Sequence, residues 1–156
     1  RHNGRRKSEV KLGSEPFACD YVTGTALLAS KEVLKEAGLI REDFFLYYED
    51  SDWSLQAAQK GYTHFIVPEA VIYHAGYQST GHLSEAYIYY HTRNGLYLAL
   101  WNGSLGIKAI AYFLSILKLI KQPVKFLLAP GKRFWIKPLA RGLFDAWRGV
   151  TGKYQP

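Results

Sequence analysis

The chain has 156 residues, 48% of them hydrophobic, and a formal net charge of +7. That length supports one buried core. A single cysteine, Cys19, excludes an internal disulfide and a cysteine-based zinc site and fits a reducing compartment. The positive charge comes without a reader helix, zinc-ligand spacing or an aromatic platform, so nucleic acid is not an expected partner.

A basic run extends through Lys11 with no hydrophobic strand ahead of it. From Phe17 to Ala29 the apolar residues suggest a pair of buried strands interrupted by Gly24. Ser30 is placed to cap a helix over Lys31 to Ala37, and Gly38 to end it. Phe44 to Tyr48 reads as a short strand. A helix from about Ser51 carries Trp53, Leu55, Ala57 and Ala58 until Gly61 stops it, and strands follow at His64 to Val67 and Ala70 to His74. Strand, acidic loop, helix, strand is α/β order.

Charge divides the chain near Gly103. Residues 1–103 hold 10 Lys and Arg against 12 Asp and Glu, a net of −2, whereas residues 104–156 hold 10 against 1, a net of +9. The basic segment is also apolar at helical spacing: Ile107, Ile110, Ala111, Leu114, Leu117 and Ile120 recur with Lys108, Lys118 and Lys121 between them. Pro130-Gly131 and Lys137-Pro138 punctuate it into shorter helices. No uncharged stretch is long enough to span a bilayer. A basic helix with an apolar face either lies in the headgroup region of an anionic membrane or packs on the preceding domain with its lysines in water.

The run Tyr47-Tyr48-Glu49-Asp50-Ser51-Asp52-Trp53 sets three carboxylates within four positions. Like charges this close raise one another's pKa, as a general base or a metal-linked site requires. Acidic residues also favour the first turn of a helix through the macrodipole and N-terminal capping. Both readings apply here. Trp53 is either a platform on which a ligand ring could stack or part of the core. Gly24, between Thr23 and Thr25, marks either a close backbone approach to a ligand or a plain strand bend. Arg93 follows two tyrosines and is able to clamp a phosphate bidentately.

Taken together, Gly24-Thr25-Ala26-Leu27-Leu28, Gly38-Leu39-Ile40 with Asp43-Phe44-Phe45, Tyr48-Glu49-Asp50-Ser51-Asp52-Trp53, Gly61-Tyr62, Val67-Pro68-Glu69-Ala70 and Tyr73-His74 resemble the C-terminal catalytic half of family-2 glycosyltransferases of the GT-A type. Tyr89-Tyr90-His91-Thr92-Arg93-Asn94 is similar to a pattern in bacterial rhamnosyltransferase-like members, as is the tail Gly142-Leu143-Phe144-Asp145-Ala146-Trp147-Arg148-Gly149. The resemblance implies an α/β fold, the C-terminal part of a Rossmann-like GT-A domain over residues 1–103, followed by a basic amphipathic helical tail over 104–156. It implies that the nucleotide-binding half, with its aspartate-x-aspartate motif, precedes this chain, which on its own would be inactive.

The activity implied is inverting transfer of a sugar, rhamnose by the subgroup likeness, from a nucleotide-sugar donor to a polysaccharide or lipid-linked acceptor at the cytoplasmic face of the membrane. Asp50 would be the catalytic base, with Glu49 as the alternative; Glu49 and Asp52 would tune and orient it. Thr23, Gly24, Thr25, Trp53, Tyr90, Arg93 and Asn94 would contact substrate. His74 would help bind Mn²⁺ or Mg²⁺. A second class of function, a non-catalytic membrane- or partner-binding module, remains compatible with the basic tail.

Overall fold

A computed structural model describes residues 13–73, 84–128 and 135–155. In chain order it contains β1 (Phe17–Cys19), α1 (Lys31–Ala37), α2 (Glu49–Gln59), β2 (His64–Ile66), α3 (Glu85–Asn102), α4 (Leu105–Leu128) and α5 (Ile136–Trp147), with 3-10 turns at Gly24–Ala26 and Glu42–Phe44. The architecture is mostly helical. Its sheet has two strands, β1 and β2, antiparallel, with Phe17 opposite Ile66 and Cys19 opposite His64. The α/β expectation therefore holds only as this small sheet beside helices, and no Rossmann-like portion lies among the described residues.

Local rules account for several elements. Ser30 accepts a hydrogen bond from Val33 N, and Gly38 ends α1 at φ 85°, where a side chain would be strained. Ser84 caps α3 in the same manner through Tyr87 N. Gly103 makes the tight passage from α3 to α4 possible, because a Cβ there would overlap the Ala99 carbonyl and the Ile107 side chain.

The expected strand at Phe44 to Tyr48 does not form. Glu42–Phe44 is a 3-10 turn, and Phe45, Tyr47 and Tyr48 all take positive φ, at 61°, 66° and 72°. A strand sends successive carbonyls to opposite sides, whereas here the adjacent carbonyls of Leu46 and Tyr47 both accept from the Asn94 side chain. Tertiary donors have overridden the β-pattern. The expected second strand of the Phe17 to Ala29 pair is replaced by the turn at Gly24–Ala26, and residues 70–73 of the strand expected at Ala70 to His74 are exposed and unladdered. Helix α2 begins at Glu49, two residues before the expected start, so Glu49, Asp50 and Asp52 all fall in its first turn.

The core lies where α3 meets α5 and the 42–48 turn. Phe44, Leu96, Tyr97, Leu143 and Ala146 are buried together, with Tyr48, Trp101, Ala111, Leu119 and Trp147 packed around them. This cluster draws on both sides of Gly103. Helices α3 and α5 approach backbone to backbone at Gly142, where a Cβ would sit 2.8 Å from the Tyr89 carbonyl and 3.3 Å from Arg93 N. Neither atom can move without its helix. Gly142→Val is expected to destabilise the protein by about 2 kcal/mol or more through overpacking, and Gly142→Ala by less in the same direction, as measured by urea unfolding.

Candidate functional site

The acidic turn is held in place from α3. The Arg93 side chain is fully buried, and its guanidinium donates to Asp43 O (3.3 Å), Phe44 O (3.0 Å), Gly152 O (2.8 Å), the Tyr89 hydroxyl (3.3 Å) and Asn94 Oδ1 (2.9 Å). The rings of Tyr89, Tyr90 and Tyr97 lie 5.1, 5.3 and 5.9 Å from its central carbon, so aromatic faces replace much of the lost hydration. Asn94 Nδ2 donates to Phe44 O (3.0 Å), Leu46 O (2.7 Å) and Tyr47 O (3.0 Å). Two neighbouring side chains thus take up the carbonyls of residues 43, 44, 46 and 47. Leu46 N also donates to Phe44 O at 2.7 Å, closing a γ-turn around Phe45 of the rare, strained hand.

This geometry corrects the expected substrate contacts at residues 90–94. Arg93 directs its donors inward and is a bracket for the chain, not a phosphate clamp. Asn94 is likewise committed. Tyr90 is buried, its hydroxyl accepting from Tyr154 N at 2.7 Å and its ring stacked on Phe45. Trp53 belongs to the core, 2% exposed, with its indole N–H on Gly38 O at 2.8 Å. Asp52 is fully buried and takes hydrogen bonds from Gln56 (2.6 Å) and Asn102 (2.7 Å) and an ion pair from Arg41 (3.5 Å). It ties α2 to α3 rather than facing a reactant.

Asp50 and Glu49 differ from these. Asp50 is part-exposed at the start of α2; its Oδ2 accepts from Gly24 N at 2.9 Å and its Oδ1 from Ser51 N at 2.7 Å. Ser54, one turn on, accepts from Val22 N at 3.2 Å and donates to Asp50 O at 2.8 Å, docking the 22–24 segment along the helix start. Thr23, Gly24 and Thr25 are exposed beside the carboxylate. A Cβ on Gly24 would make only ordinary contact with Asp50, at 3.5 Å, so neither a close approach nor a backbone angle requires glycine here. Glu49 is half-buried; its Oε2 is enclosed without a hydrogen-bond partner, and burial, reinforced by the Asp50 charge, pushes its carboxyl up from the ordinary range.

Sequence reasoning passed over His91. Its ring lies 4.4 Å from Tyr47 and 4.1 Å from Tyr87, with Nδ1 3.4 Å from the Tyr48 hydroxyl, and burial lowers its pKa. The four-residue step from Tyr87 to His91 on one helix was the available signal. Ser54 was missed too, four residues after Asp50 on α2. His74 lies outside the described residues. Among the described residues no three His, Cys, Asp or Glu side chains gather as a metal would require, so the acids of this turn do not by themselves form a metal centre.

No family model matches the chain, and no solved structure does. It is similar to a dTDP-rhamnosyl transferase, RfbF, of Shigella flexneri, 28% identical over 160 residues that cover 95% of this chain and 52% of that protein. It is also similar to the galactofuranosyltransferase GlfT2 of Mycobacterium tuberculosis, 29% identical over 98 residues, or 62% of this chain and 15% of that one. The chain is thus related at low identity to glycosyltransferases. It spans about half the length of the first relative.

Two outcomes follow from the burial pattern. Arg93→Lys should not restore what Arg93→Ala loses, since an ammonium cannot serve the same fork of acceptors; both variants are expected to lose about 3 kcal/mol or more in urea unfolding. For Glu49, a raised folded-state pKa means that the fold favours the protonated acid. The associated stability is present below the unfolded pKa and lost as pH rises through the folded one. Glu49→Gln should therefore raise the melting temperature at neutral pH and leave it unchanged in acid below the ordinary carboxylate range.

Proposed function

We propose that the chain is the acceptor-side, catalytic-base portion of an inverting family-2 glycosyltransferase of the GT-A type. Asp50 carries this reading: it is a part-exposed carboxylate fixed by two backbone N–H groups at a helix start, in a chain related to glycosyltransferases. The sugar, rhamnose by likeness to the first relative, would pass from a nucleotide-sugar donor to a polysaccharide or lipid-linked acceptor during synthesis of a cell-envelope glycan. Asp50 takes the proton of the acceptor hydroxyl as that oxygen bonds to the anomeric carbon. The bond from that carbon to the donor diphosphate breaks with inversion, and the nucleotide diphosphate leaves.

The chain's own residues supply position more than charge. Gly24 and Ser51 orient the two oxygens of Asp50, and the exposed Thr23 and Thr25 hydroxyls are placed to meet the acceptor. Glu49, neutralised more readily, shapes the site beside it and is the alternative base. Positive charge for the leaving diphosphate does not come from Arg93, whose donors are occupied. It falls to residues beyond those described, and a divalent metal, with His74 among its ligands, would supply it there. The exposed apolar surface of α4 favours a second reading, a membrane-peripheral module without catalysis.

The decisive experiment uses a polypeptide that joins this chain to a nucleotide-binding half. Asp50→Asn should lower kcat by on the order of 10²–10⁴-fold while donor affinity stays near wild type, and Glu49→Gln should retain most activity. Near-normal turnover in Asp50→Asn, with Glu49→Gln inactive, would move the base to Glu49. Normal turnover in both variants would end the assignment.

A further inference from the structure

Helix α4 packs Ala111 and Leu119 against the core yet leaves a row of larger apolar side chains in water. Its face toward the core includes Ser115, 3% exposed and bonded to the Trp147 indole at 3.2 Å, and Gln122, 6% exposed. Its outer face carries Ile110, Phe113, Ile120, Val124 and Leu127, between 55% and 72% exposed. These five follow one another at steps of three, seven, four and three residues, which places them on one stripe. Lys118 and Lys121, both exposed, lie along its flank. An apolar stripe of this length left in water is unfavourable unless something covers it.

We propose that the outer stripe of α4 docks in the headgroup region of an anionic lipid bilayer, with Lys118 and Lys121 at the phosphate level. This goes beyond the transfer reading and stands without it. Charge selects the occupant: the stripe belongs to a segment of net charge +9, so pairing it with a second copy would bring like charges together, whereas an anionic surface is complementary. Among the described residues no helix is long and apolar enough to cross a membrane. A helix lying in the interface matches a wide apolar face bordered by lysines.

Co-sedimentation of the full 156-residue chain with phosphatidylcholine–phosphatidylglycerol vesicles, against phosphatidylcholine alone, tests this. Binding to the anionic vesicles should weaken with added salt and still persist, because burial of the apolar stripe is not screened. Phe113→Glu with Ile120→Glu should lower the partition coefficient at least about tenfold. Lys118→Glu with Lys121→Glu should lower it about tenfold or more on anionic vesicles only. All four positions are exposed, so unchanged circular dichroism melts are expected to accompany both losses. Wild-type chain that stays in the supernatant under every condition overturns the proposal. So does binding unaltered by the Phe113/Ile120 pair, or a stable dimer that the same pair dissolves and that ignores vesicles.

Discussion

Everything that faces solvent near Asp50 depends on one buried cation. Arg93, with Asn94 beside it, gathers the carbonyls of residues 43, 44, 46 and 47 and so fixes a turn that its own residues would not choose. Each left-handed non-glycine costs on the order of 1–3 kcal/mol, and each hydrogen bond from a charged donor contributes about 1.5–3. The bracket is therefore large enough to hold Phe45, Tyr47 and Tyr48 where they are. The cation itself is tolerated because carbonyl oxygens, a hydroxyl and three aromatic faces surround it.

From that turn the chain enters α2 in a set direction, and the three acidic residues at its start divide by environment. Asp52 turns inward and knots α2 to α3 through Asn102 and to Arg41. Asp50 turns outward and catches the 22–24 segment. Glu49 is caught between, with one oxygen enclosed and unpaired. Carboxylates that look equivalent in sequence thus do three different jobs: Asp52 joins helices, Glu49 carries a desolvation penalty, and Asp50 alone is both held and accessible.

Local chemistry was legible wherever it was local. The Ser30 cap, the helix after it and its stop at Gly38 follow from contacts within a few residues. The acidic run was legible as a place of interest, and Asp50 keeps the role expected of it as a proposal. Phe44 to Tyr48 was not legible, because its strand-like pattern yields to donors about fifty residues away. Arg93 misled for a related reason: an arginine after tyrosines looks like a ligand for phosphate until five acceptors, one of them in Gly152, prove to lie around it. Trp53 and Asp52 misled because burial cannot be read from residue type in a first helical turn. The strand pattern at 70–73 misled because a strand requires a partner edge, and among the described residues none is paired with it.

The position of Gly152 in that bracket has a bearing on how the protein is made. Arg93 donates to Gly152 O, Gly152 N donates to Asp43 O, and Tyr97 reaches Val150 O. Residues 150–154 are thus stitched to a turn more than a hundred positions earlier. During synthesis, the segment carrying Asp50 emerges from the ribosome long before the residues that complete its scaffold. Until they follow, the guanidinium of Arg93 lacks one acceptor, Tyr97 has the Asp145 carbonyl but not that of Val150, and the strained turn lacks part of its restraint. The nascent chain would then be free to settle residues 44–48 into the extended form that their pattern favours, with an open edge exposed to other strands. The turn beside Asp50 is completed only once residues 150–154 have followed it.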